Sequence, residues 1–254
     1  MIRCFRNALV DGAGMVSLAA QCLRLTATGR VKPSLVAEQI FIIGVRSVGV
    51  TILMGLFVGA TMAIQIEVQL RDFGATSFLG GLASSVSLRN VGPVLIGFLL
   101  AGKVGAYMSA EIGAMRVSDQ IDALRCLGVD PIGYLVAPRF MASLVSSVVL
   151  LMIGLVMTVL GGMLMADIGL NVNYLSYIQR VQDLVSVSTL CLSVLKSLTF
   201  GAILSAIACY RGYNATGGFK GVGRAVRQTS VEALVMILLM DLLLSDLWSG
   251  WVNG

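Results

Sequence analysis

The chain has 254 residues, 57% apolar and only 12% charged, with a net charge of +5 and a mean hydropathy of +0.91. Soluble domains carry about 25% charged residues, so these proportions exclude a soluble fold. Histidine is absent, which removes the usual general base, proton relay and commonest metal ligand.

The first 45 residues differ from the apolar stretches that follow. Phe5, Leu9, Gly12, Val16, Ala19 and Leu23 form a helical stripe, broken by Arg3, Arg6, Asp11 and Arg24. Such a helix is too polar to span and is expected to lie in the membrane interface. It lacks the compact apolar stretch and cleavage site of a signal peptide. Five later stretches are apolar enough to cross a bilayer: 47–70, 92–112, 139–166, 186–209 and 230–249. The second and fourth are the weakest, since each contains a lysine, Lys103 and Lys196. The predicted fold is thus an all-α polytopic membrane protein. With no internal repeat or linker, it reads as one domain, 1–254, with residues 1–45 interfacial and 47–249 forming the bundle.

Between the spans, the run FLGGLASSV within residues 71–91 predicts a short helix that dips back against the bundle. Residues 101–131 carry four acidic and three basic residues between two apolar segments. There Val117, Ile121, Leu124 and Leu127 recur at helical spacing, with Arg116, Asp119, Asp122 and Arg125 on the remaining arc. That pattern predicts an amphipathic helix resting on the membrane and showing charge to a water-soluble partner. Residues 167–185 are mixed, with Tyr174 and Tyr177 expected at the interface. Gly217, Gly218, Gly221 and Gly223 are read as permitting a tight turn rather than as a phosphate cradle. Basic residues concentrate before the first span, after the second and after the fourth, which predicts a cytoplasmic N-terminus.

Little in the chain supports catalysis. No GxxxxGK[ST] string and no Ser/His/Asp set occurs. Cys4, Cys22, Cys126, Cys191 and Cys209 are scattered, which suits small apolar filler better than a disulfide or metal site. Lys196 and Asp241 fall near the centres of the fourth and fifth spans, where each charge costs about 2.5–3.5 kcal/mol. They read either as a structural ion pair or as a polar spot in a cavity for a lipid headgroup. Glu67 and Lys103 lie nearer helix ends and could snorkel. The GxxxG at Gly55 and Gly59 marks close helix packing, within one chain or across a dimer.

Several strings together resemble one family. They are Leu88-Arg89-Asn90-Val91-Gly92-Pro93, Ala101-Gly102-Lys103-Val104-Gly105-Ala106, and the run from Ala110 through Glu111 and Gln120 to Leu124. Val129-Asp130-Pro131, Pro138-Arg139, Lys196-Ser197, Gly212-Tyr213 and Gly221-Val222-Gly223-Arg224-Ala225 follow in order. By these strings, from about Gln39 to Trp248, the chain resembles the MlaE/YrbE family of permease subunits of MCE-associated ABC lipid transporters.

The resemblance implies a homodimer in a bacterial inner membrane, with five spans per subunit and a cytoplasmic coupling helix between spans two and three. Two separate ABC ATPase subunits would bind ATP and Mg, so that this chain needs no cofactor of its own. An MCE-domain protein would receive or deliver phospholipid on the periplasmic side, and there is room for a small cytoplasmic regulatory subunit. No nucleic acid is implied. The coupling helix would use Glu111, Arg116, Asp119, Gln120, Asp122 and Arg125, within a helix running from Glu111 to Leu127. The lipid cavity would involve Met62, Leu70, Phe73, Asn90, Lys196 and Asp241. Where many relatives have Glu in the LRELGP string, this chain has Asn90, which removes a carboxylate that could meet Lys196 and leaves Asp241 as a substitute partner. Two other functions fit the same composition: an ion-coupled secondary transporter using Lys196 and Asp241, and a membrane scaffold for an MCE ring that moves no lipid.

Overall fold

In a computed structural model of the chain, the described residues are 2–27, 31–71, 78–170 and 173–253, and among them all regular structure is helical. The described helices are α1 (Ile2–Ala27), α2 (Pro33–Arg71), α3 (Leu79–Val117) and α4 (Gln120–Cys126). They continue as α5 (Ile132–Gly169), α6 (Tyr174–Leu184), α7 (Val187–Tyr213) and α8 (Gly218–Asn253). Four of them, α2, α3, α5 and α7, are long and apolar enough to cross a membrane. They contain the first four expected spans. The fifth expected span lies within α8, whose 36 residues include Glu232, Asp241 and Asp246 and which is not among those four.

The long helices are continuous because wide i→i+5 turns absorb local irregularities. One such turn, Phe41–Val45, joins the helical residues from Pro33 to the first expected span in one continuous helix. In α3, Ser87–Val91 and Ala101–Gly105 are turns of this type. The first runs the short helix expected at FLGGLASSV, Leu79–Val86, which packs against α2 and α6, directly into the span that follows. Pro93 would break a regular helix by its missing N–H and by a clash with the carbonyl four residues back. The wide turn before it, where the Gly92 N–H donates to the Ser87 carbonyl, lets the helix continue from Leu79.

The chain divides into two compact units, each built from parts of several helices. The first comprises Met1–Val45, Phe98–Ser146 and Phe200–Ile237; the second comprises Arg46–Gly97, Ser147–Thr199 and Leu238–Gly254. In the second unit the GxxxG pair closes α2 onto α5 within the chain. A Cβ on Gly55 would lie 2.7 Å from the Gly154 carbonyl, and one on Gly59 would overlap the Thr158 carbonyl. Nearby, Leu79, Ala166 and Tyr177 form a buried cluster with Ile66 and Leu70 against it. Tyr177 is therefore a core residue, 1% exposed, whereas Tyr174 stays exposed. The difference comes from Gly80, which gives Tyr177 room by lacking a side chain.

In the first unit, α1 packs through Leu18 and Cys22. Burial first, and then the charge of Asp130, push the Cys22 thiol up to about 12. Gly217 and Gly218 both have positive φ, 90° and 67°, so the expected tight turn before α8 is made by the residues best able to adopt it.

Candidate functional site

Two places concentrate the polar chemistry, one in each unit. In the second unit Lys196 is fully buried, and its Nζ lies 2.6 Å from Asp241 Oδ1. The ammonium also donates to the Arg89 carbonyl oxygen at 2.9 Å. Pro93 explains that second bond: it has no N–H, so the Arg89 carbonyl lacks its ordinary i+4 donor, and the lysine supplies one. One turn earlier on α7, the Ser193 hydroxyl donates to the Leu88 carbonyl at 2.8 Å. On the neighbouring face, the Ser147 hydroxyl donates to the Ser197 carbonyl at 3.0 Å. Asp241 keeps 17% of its side chain exposed, so the pair is open on the carboxylate side.

The other predicted lipid-contact residues are placed less uniformly. Leu70 is half-buried against Leu79, Ala166 and Tyr177, and Met62 is half-buried on α2. Asn90 is exposed, and the contact from its segment to Lys196 runs through the main chain of Arg89. Phe73 lies outside the described residues. The structure thus joins Lys196 to Asp241 and brings neither Asn90 nor Met62 into that contact.

In the first unit, the connection from α3 to α5 holds the second cluster. The expected helix from Glu111 to Leu127 is interrupted. The Ser118 hydroxyl bonds back to the Ala114 carbonyl at 2.9 Å, and Asp119 takes a left-handed conformation with φ 57°. Asp tolerates that region better than most residues, since its short side chain can bond locally. Helix α4 then restarts, with the Ala123 N–H donating to the Asp119 carbonyl at 2.9 Å. Its inner face is anchored by Ile121, which is fully buried, while Leu127 is 78% exposed.

The charges of this connection are tied to two other helices. Arg116 Nη1 donates to both carboxylate oxygens of Asp122 at 2.9 Å, joining α3 to α4. Arg125 reaches Asp122 at 3.3 Å and the Tyr213 hydroxyl of α7 at 2.5 Å. Glu111 faces inward instead, paired at 2.9 Å with Arg139, which is 4% exposed. Asp119 and Gln120 are exposed. Beside them Met115, Leu124, Leu127 and Tyr134 line a shallow apolar groove of about 290 Å³. The connection ends where Asp130 accepts from the N–H groups of Ile132 and Gly133, at 3.1 and 3.2 Å, with Pro131 opening α5.

Three ties in the structure escaped sequence reading. Pro93 inside a span was the available signal for the Arg89 carbonyl. Glu111 and Arg139 lie 28 residues apart, and Arg211 pairs with Asp11 and Glu232 from distant helices. No spacing rule connects such residues. Among the described residues no three His, Cys, Asp or Glu side chains are grouped to hold a metal ion.

Comparison with known proteins adds a consistent picture. The family described as Permease MlaE matches residues 36–247. A probable ABC transporter permease protein of Rickettsia typhi is 36% identical over 214 residues, 84% of this chain and 83% of the relative. The intermembrane phospholipid transport system permease protein MlaE of Haemophilus influenzae is 33% identical over 217 residues, 85% of this chain and 83% of its own. The chloroplastic protein TRIGALACTOSYLDIACYLGLYCEROL 1 of Arabidopsis thaliana is 32% identical over 241 residues, covering 92% of this chain and 67% of the relative.

Proposed function

The chain belongs to the MlaE permease family, and from that premise we propose that it is the permease subunit of an ABC transporter moving phospholipid between the inner membrane and a periplasmic MCE-protein assembly. A separate ATPase supplies the energy. The subunit acts as a homodimer with α1 in the interface, a cytoplasmic N-terminus and α8 as the fifth span.

The observation that carries this reading is the construction of the α3–α5 connection. Helix α4 is held by an ion pair to α3 and a hydrogen bond to α7, yet Asp119, Gln120 and Leu127, in and beside it, stay exposed. A partner that pushes on its outer face moves two long apolar helices with it. Closure of two ATPase subunits would therefore be transmitted through Arg116, Asp122 and Arg125, with Asp119 and Gln120 meeting the partner. Glu111 takes a positioning role, holding Arg139 of α5.

On the lipid side, Met62, Leu70 and Phe73 supply apolar wall, and Asn90 and the half-open Asp241 supply polar groups near the headgroup. Lys196 is engaged from both sides, so it orients Asp241 and does not itself meet a phosphate. A diacyl lipid suits an apolar wall with few polar contacts.

The test is affinity purification of the tagged chain from its own membrane in mild detergent, followed by identification of bound proteins and extracted lipids. Wild type is expected to bring an ATPase, an MCE protein and phospholipid. The Asp119→Lys/Asp122→Lys variant is expected to keep the lipid and lose the ATPase. Wild type without either protein partner, or a variant that retains both, would overturn the proposal.

A further inference from the structure

A groove in the first unit, between α1, α7 and α8, is used by nothing described so far. We infer that it holds the acyl chain of a resident membrane lipid whose headgroup carries an ammonium, as in phosphatidylethanolamine. The inference stands apart from the transport proposal and does not depend on which lipid is carried.

The groove encloses about 580 Å³, within the range of small-molecule sites. Its walls are small or apolar: Gly12, Val16 and Ala19 on α1, Ala202 and Ala206 on α7, and Met236 on α8. A Cβ built on Gly12 meets no atom within 4 Å, so no protein packing explains a glycine there. Within a helix that glycine costs about 1 kcal/mol relative to alanine. Val16 remains 71% exposed beside it. In a membrane such a slot is filled by hydrocarbon.

The polar end selects the headgroup. Arg211 lies between two carboxylates, 2.8 Å from Asp11 and 2.7 Å from Glu232. Its Nε donates to the second oxygen of Glu232 at 2.9 Å. The Tyr210 hydroxyl donates to Asp11 at 3.3 Å. Two carboxylates against one guanidinium leave a formal charge of −1, and the guanidinium's donors are directed at carboxylates. A bare lipid phosphate would meet net repulsion there. An ammonium would meet the carboxylates' remaining lone pairs, which accept without competing for Arg211.

The full chain, purified with its accompanying proteins, would be exchanged into bilayers of equimolar phosphatidylethanolamine and phosphatidylglycerol. Lipid retained per chain would then be read by native mass spectrometry. Wild type is expected to retain phosphatidylethanolamine over phosphatidylglycerol. Gly12→Leu is expected to lower the retained amount about tenfold, equivalent to roughly two buried methylene groups, with thermal stability kept or raised. Val16→Phe narrows the groove from an exposed position and serves if Gly12→Leu does not fold. Equal retention of both lipids, or retention unchanged by whichever variant folds, would overturn the inference. So would loss of dimer mass in place of lipid, which would make a second copy of the chain the occupant.

Discussion

Lys196 and Arg116 are both cations close to an aspartate, at 2.6 and 2.9 Å, yet their surroundings are opposite. The side chain of Lys196 is fully buried, whereas Arg116 keeps 32% of its side-chain surface and Asp122 keeps 46%. The buried pair also serves a main-chain carbonyl that a proline has left without a donor. The exposed pair serves only other side chains. The buried contact therefore belongs to the folding of the second unit, and the exposed one to what the first unit can do with a partner. A buried charge left without its partner is costly, while a surface ion pair contributes about 0–1 kcal/mol.

Substitutions can break or sharpen that contrast. The largest effect is expected from Lys196→Met, which strands both Asp241 and the Arg89 carbonyl: about 3–5 kcal/mol of stability lost, seen as reduced yield and a lower unfolding temperature. Adding Asp241→Leu should restore part of it, because an apolar pair leaves no orphan charge. Recovery to wild type would mean that the Arg89 carbonyl does not need its donor. Next comes Gly59→Val, which drives a branched side chain into the Thr158 carbonyl and should cost roughly 1–3 kcal/mol or more, by the same melting measurement.

On the exposed side, Asp130→Ala removes the cap on α5 and should cost about 1 kcal/mol. Asp122→Ala should change stability by less than about 1 kcal/mol while freeing Arg116 and Arg125. If its melting temperature fell as far as that of Lys196→Met, the contrast would collapse. A chemical probe separates the regions without mutation. Cys126 is exposed and should react with a water-soluble maleimide near neutral pH. Cys22 is buried and its thiol is held protonated up to about pH 12, so it should stay unmodified until the protein unfolds.

The sequence made the long apolar helices legible because composition over 20 residues is a strong signal. It placed the charged connection correctly between α3 and α5 and named Arg116, Asp122 and Arg125. Where it fell short, a single residue decided the local outcome. Asp119 broke one helix in two by entering the left-handed region, and Pro93, with the wide turn ahead of it, joined two segments that read as separate. Tyr177 went into the core because Gly80 left space on a helix 97 residues earlier in the chain. The Lys196–Asp241 contact was legible as a pair, since two opposite charges in apolar spans have few other partners. The triad of Asp11, Arg211 and Glu232 was not, because periodicity relates residues within an element and says nothing of which elements meet.

The most direct test is ATP-dependent lipid transfer by the reconstituted complex, comparing wild type with Asp119→Lys/Asp122→Lys at equal amounts of folded permease. Loss of transfer and of ATPase association, with the melting temperature within a few degrees of wild type, is the predicted result. Transfer at the wild-type rate by the variant would contradict the claim that α4 carries the motion.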